Sequence, residues 1–199
     1  MKATLIITIL LIAIMIITQS FVAKSTKRTE EHAYTVLKVY DQFEVRKYKP
    51  ALFSGVKLAE TTYKETSSKG FRVLAGYIFG GNEKNQQIAM TTPVVMQLGD
   101  TTKMYFKVPD GYTLDQLPQP KDTNIVFEKQ EEKIMAAIRF SGWANDEKIK
   151  HYTAILKDAL DKEHIAHTNT FNFLGYNPPY ELVNRRNEIA VELVQYDHK

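Results

Sequence analysis

Hydrophobic and polar positions alternate in three different ways along this chain. Residues 3–23, ATLIITILLIAIMIITQSFVA, are almost wholly apolar. From Tyr34 onward short runs alternate apolar with polar, the period of a strand with one buried face. Two longer stretches repeat at helical spacing instead. Tyr34 to Tyr48 alternates around Asp41-Gln42 and predicts two strands or one bent strand. After Pro50, Ala51 to Leu58 predicts another strand, with Gly55 as a bulge. From Thr62 the period turns helical, with Tyr63, Ser67, Phe71, Leu74 and Ile78 on one stripe, and Gly80-Gly81-Asn82 stops it as a left-handed C-cap. Ile88 to Met96, IAMTTPVVM, reads as a strand, but Pro93 lacks an N–H and so marks an edge, a bulge or a barrel mouth. Lys103 to Val108 is a further strand, Pro109-Asp110-Gly111 a turn, and Leu117-Pro118-Gln119-Pro120 a linker.

The order then repeats. Ile125 to Glu128 and Lys133 to Phe140 predict strands, and Asn145 or Asp146 caps a helix running to about His164 on a stripe of Ile149, Tyr152, Leu156 and Leu160. Thr170 to Tyr176 and Ile189 to Val194 are the closing strands. Tyr176 to Tyr180 lines up on Met90 to Val94, 86 positions earlier, and Phe140-Ser141-Gly142 on Phe53-Ser54-Gly55. This predicts a duplication with halves at about 34–116 and 121–196. The expected fold is α+β: a distorted antiparallel β-barrel of two repeated strand-helix-strand units, two flanking helices, and an N-terminal hydrophobic helix. A pocket is expected between helices and sheet.

Lys2 precedes the apolar run, and Lys24, Lys27 and Arg28 follow it. Twenty-one helical residues span about 31 Å, the thickness of a bilayer's hydrocarbon. Residues 1–23 therefore read as a membrane anchor, with a cleaved signal peptide as the rival. Residues 24–33 read as a polar tether, and residues 34–199 as the body. The protein is expected to be membrane-anchored or exported, with its side of the membrane open.

Composition narrows the function by exclusion. The 199 residues are 44% hydrophobic and 25% charged, with a net charge of +3. The basic residues are scattered, without the stripe or face expected of a nucleic-acid binder. Without cysteine, disulfides, thiolate metal sites and a cysteine nucleophile are excluded. No phosphate-binding loop, nucleophile elbow, dinucleotide fingerprint or paired-histidine zinc motif occurs, so no enzyme activity is expected. His164 and His167 sit where a helix end suits histidine better than a metal does. His151 reads as exposed, His32 as part of the tether and His198 as part of the tail. Met90, Met96 and Met104 read as core filler. Arg185-Arg186 can clamp an anion, but the structural reading, pairing with Glu181, Glu188 or an acid of the other half, is preferred. Lys69 and Arg72 flank Phe71, an apolar body with charged tips that suits an amphipathic ligand or any surface helix.

Several of these patches together resemble the SOUL haem-binding protein family: FEVRKYKPALFSGV, YIFGGNE, IAMTTPV, FSGWA and LGYNPPYELVNRRNEIAVEL, spread over residues 34–194. The resemblance implies a distorted barrel of two repeated units with two flanking helices. It also implies non-covalent binding of haem or another tetrapyrrole, in an apolar groove beside the first helix of the body with basic residues near the propionates. Carried onto this sequence, the apolar contacts are Phe71, Leu74, Ala75 and Ile78, the basic candidates Lys69 and Arg72, and the cover the loop Phe173 to Glu181, including Phe173 and Tyr176. No histidine matches an axial ligand. The expected role is a carrier or buffer. The alternatives are a binding module for another small amphipathic ligand, or an enzyme acting on a tetrapyrrole or ester.

Overall fold

The computed structural model describes residues 2–26, 29–59, 62–99 and 101–196. After helix α1 (Lys2–Thr26) the chain forms β1 (Tyr34–Val39), β2 (Glu44–Tyr48), β3 (Ala51–Leu58), α2 (Tyr63–Ile78), β4 (Val94–Gln97) and β5 (Thr102–Lys107). Then come β6 (Ile125–Gln130), β7 (Lys133–Ser141), α3 (Asp146–Lys162), β8 (His167–Gly175) and β9 (Arg186–Leu193). All nine strands join one antiparallel sheet in the order β1-β2-β7-β9-β8-β4-β5-β3-β6.

Leaving out β1, this order maps onto itself when β2, β3, β4 and β5 exchange with β6, β7, β8 and β9. The two units meet along β4 and β8, where Val95 faces Leu174 and Met96 faces Phe173. Each unit also gives its first strand to the other: β2 pairs with β7, and β6 with β3. The links β2–β3 (Lys49-Pro50) and β6–β7 (Glu131-Glu132) therefore join strands far apart in the sheet and curl it. The sheet is a half-barrel and not the closed barrel expected, because β1 and β6 remain as edges. Pro50 has no N–H with which to carry a ladder around the corner between β2 and β3.

Both body helices lie on the convex face. The Thr62 hydroxyl caps α2 by accepting from the Glu65 N–H, and Asn145 caps α3 by accepting from the Lys148 N–H. At the end of α2, Gly80 takes φ +109, a backbone region that glycine enters without a Cβ penalty. The buried residues of α2 are Thr66, Gly70, Leu74, Ala75, Tyr77 and Ile78, so its inward face is rotated from the stripe expected. Tyr77 turns inward because its hydroxyl finds the Pro118 carbonyl at 3.0 Å, which also pins the linker. Beneath the helices lies the main core of Val45, Val56, Met96, Met104, Ile189, Val191 and their neighbours. Met90 packs partly buried at its margin. Gly55 is no bulge: it sits in register between Tyr105 and Val126, and a Cβ there would lie 2.7 Å from the Tyr105 ring.

The stretch expected to be a tether is docked from residue 30 on. The N–H of Thr92 donates to the Glu30 carbonyl and the N–H of His32 to the Thr92 carbonyl, both at 2.8 Å, beside the cis Thr92-Pro93 peptide. The Glu30 carboxylate pairs with Lys107, and His32 bonds the Lys49 carbonyl at 2.8 Å while packing on Tyr48 and Phe53. Lys27, Arg28 and His198 lie outside the described residues. Leu5 to Ile17 of α1 are exposed at 51–68% wherever large apolar side chains occur. Among the described residues, no helix is long and apolar enough to cross a membrane.

Candidate functional site

The first turn of α2, the side of α3 and the facing ends of β4 and β5 enclose a groove of about 400 Å³. Met96, Leu98 and Ile149 give it an apolar floor, Tyr63 and Thr66 one wall, and Thr153 and Ala154 the other. Its charged members are Lys150, Lys157 and Asp146. Asp146 is engaged, accepting from the Tyr63 backbone N–H at 2.6 Å, at the end of α2 where a carboxylate suits the helix dipole. The two lysines are exposed on the rim. Tyr63 packs edge-to-face on Phe173 at 5.2 Å. Burial raises the Tyr63 hydroxyl above its ordinary pKa against the opposing charge of Arg185, so it is a neutral phenol at pH 7.

The residues expected to form one site are divided. Lys69 and Phe71 are two positions apart, which on a helix is about 200°, so they lie on opposite flanks of α2. Lys69 follows Thr66 by one turn on the groove flank, whereas Phe71 packs against Phe106 on the other. Arg72 points outward. Leu74, Ala75 and Ile78 are buried in the core at 0%, 7% and 4% exposure. Phe173 lies beside the groove without lining it, packed on Tyr63 and opposite Met96 in the sheet. Tyr176 belongs to a small cluster on the opposite, concave face, with Ala137, Leu174 and Ala190.

That concave face holds what the alternation concealed. Glu188 is wholly buried and accepts from Arg46 at 2.6 and 3.2 Å, from Arg186 at 2.9 Å and from the Tyr176 hydroxyl at 2.9 Å. Burial pushes its carboxyl up, but the hydrogen bonds and charges of Arg46 and Arg186 outweigh this and hold it below the usual carboxylate range. Burial pushes the Tyr176 hydroxyl far up and Tyr48 up to about 12. Arg186 continues to Glu31 at 2.8 Å and Tyr34 at 3.0 Å. Arg185 donates to the carbonyls of Pro178, Glu181 and Asn177 at 2.8, 2.7 and 3.2 Å, and stacks on Trp143 at 4.2 Å. Arg186 thus pairs with Glu188 as expected, whereas Arg185 holds the loop through backbone carbonyls instead of an acid's carboxylate. Only the RRNE run signalled the cluster; nothing local tied Arg46 to Glu188, 142 positions away.

A smaller cavity, about 210 Å³, opens on the same concave face between Tyr48, Phe53 and Tyr105. Glu128, Glu131 and Glu192 line it against the single cation Lys133, so it disfavours a ligand bearing carboxylates. The convex groove, apolar with a basic rim, favours one.

Comparison with known proteins decides the lineage. The model of the SOUL heme-binding protein family matches residues 29–192. The chain belongs to that family. Its relatives include heme-binding protein 1 of Xenopus laevis, 28% identical over 155 residues, covering 74% of this chain and 81% of the relative. Human heme-binding protein 2 is 26% identical over 156 residues, covering 74% and 76%. Among solved structures, the EcmrR C-terminal domain superposes with a TM-score of 0.59 at 9% identity, covering 78% of this chain and 98% of that one. A hydrolase from Listeria innocua gives 0.57 at 10%, covering 86% and 97%. At such identity these two share the fold and nothing further is drawn from them. Membership in this family supports haem binding; the groove offers an apolar floor and two lysines at its rim. Among the described residues no histidine lines the groove.

Proposed function

We propose that the body binds haem or a related tetrapyrrole non-covalently in the groove between α2 and α3, and serves as a carrier or buffer rather than an enzyme. What carries this reading is the union of family with chemistry: a haem-binding lineage, and a groove whose floor is apolar and whose rim carries Lys150 and Lys157. Met96, Leu98 and Ile149 would take the macrocycle, and the lysines its propionates. Haem would bring an open iron; with no histidine in the groove, buried apolar area supplies most of the affinity. Such binding is reversible, as a carrier needs. The test is a haemin titration of the full chain followed at the Soret band. Lys150→Glu/Lys157→Glu should weaken a saturable one-to-one transition about tenfold, or ~1.4 kcal/mol, whereas Phe71→Ser on the far flank of α2 should leave it unchanged. Equal affinity in all three proteins would overturn the site. Displacement by other amphipathic carboxylates at lower concentration than haem would turn the reading to a different ligand.

The exposed apolar length of α1 supports a second part of the proposal, attachment of the body to a membrane. The rival is secretion after cleavage, and the mass of the mature chain separates the two. The symmetric strand order supports descent of the body from one duplicated unit.

A further inference from the structure

The loop between β8 and β9 is inside out. Its acid, Glu181, is 3% exposed, while Tyr180, Leu182 and Val183 around it stand 64%, 50% and 52% exposed. Neutral burial physics would place these four the other way. The loop is also held stiffly: Arg185 ties three of its carbonyls and stacks on Trp143, itself 51% exposed. α1 meets the body at this place. The side-chain amide of Gln19 donates to the Tyr180 carbonyl at 3.2 Å and accepts from the Leu182 N–H at 3.0 Å. Gln19 lies two residues beyond Ile17, one of the exposed apolar side chains of α1. Those side chains remain exposed, as do the three of the loop, with helix and loop already in contact. We propose that Tyr180, Leu182, Val183 and Trp143 form a second membrane contact, seating the body at the boundary of headgroups and acyl chains beside α1. The depth follows from the hydrogen bonds: if the apolar run of residues 3–23 lies in lipid, Gln19 sits about one helical turn short of its C-terminal end, and the loop it holds is at that level, close to the bilayer boundary. Tyrosine and tryptophan favour that level, having an apolar ring and a polar tip. The inference rests on the proposed membrane attachment and adds to it an orientation, with one fixed end of the sheet against the bilayer.

Trp143 is the chain's single tryptophan and therefore an intrinsic depth probe. The full chain is mixed with phosphatidylcholine vesicles, with and without brominated acyl chains; sedimentation measures attachment and Trp143 quenching measures seating. The wild type should sediment and be quenched by brominated lipid. Tyr180→Ser/Leu182→Ser/Val183→Ser should still sediment through α1, with quenching reduced about threefold or more. Failure to sediment would remove the attachment reading, and this one with it. Sedimentation with unquenched Trp143 would leave attachment standing and overturn the seat. A blue-shifted emission that brominated lipid does not quench would mean that a second copy of the chain covers the patch, and would also overturn it.

Discussion

Replacing Glu188 by glutamine tests the energetic centre of the concave face. The amide keeps the shape but removes the charge on which Arg46 and Arg186 converge, and it turns one accepting oxygen into a donor facing donors. Glu44, Tyr48 and Glu31 still hold the two guanidiniums, yet Arg46 is only 3% exposed, and water cannot replace the lost carboxylate. Breaking a buried pair from one side costs about 3–5 kcal/mol. For a body of this size that lowers Tm by roughly 6–20 °C. Urea unfolding followed by Trp143 fluorescence should show the midpoint falling with the slope unchanged. Arg46→Met/Glu188→Leu should cost less than the sum of the two single changes, with a coupling of about 2 kcal/mol or more, because that pair leaves together while Arg186 keeps Glu31. The acid limb gives a second readout. The Glu188 carboxyl is depressed in the fold, so its stabilisation is complete above the unfolded carboxylate pKa of about 4.3 and is lost as pH falls through the lower, folded value. The wild type should lose this increment on acidification, and Glu188→Gln should not. A single variant within about 0.5 kcal/mol of wild type would refute the reasoning, since it would mean that water reaches the cluster.

Three further outcomes are expected. Burial holds the His32 pKa below its usual value despite the bond to Lys49, with Lys107 lowering it and Asp110 raising it. The unfolded chain thus takes up a proton that the fold resists, and stability should fall as pH drops below about 6.5; His32→Phe should flatten that limb in urea titrations at successive pH values. Leu74→Ala, at a fully buried position of α2, should cost about 2–5 kcal/mol by thermal unfolding. Asn145→Ala removes the cap of α3 and should cost about 1 kcal/mol in the same assay.

Elements were legible in the sequence where one local signal sufficed. Thr62 and Asn145 announced their helices, Gly80 ended one, and alternation marked the strands to within a few residues. The stretch from Ile88 was read too long, since only Val94–Gln97 is strand; Thr91 instead spends its hydroxyl on the Lys107 carbonyl at 2.6 Å. What failed needed facing partners. Tyr77 turned inward for a carbonyl 41 positions away, and Tyr176 for a carboxylate on the next strand. The groove draws Tyr63 from one helix, Ile149 and Lys150 from the other and Leu98 from a strand end, so no single run of sequence spelled it.

The exchange of first strands has a mechanical result. With β2 lying in the second unit's sheet and β6 in the first's, either half alone lacks an edge strand and exposes the seam of β4 or β8. The halves are clasped, each completing the other, and neither should persist as a separate folding unit. A chain cut in the exposed turn near Lys121 should yield two unfolded fragments that regain one sheet when mixed. The clasp also binds the two helices that border the groove into a single cooperative body, so α2 and α3 cannot part without undoing the sheet beneath them.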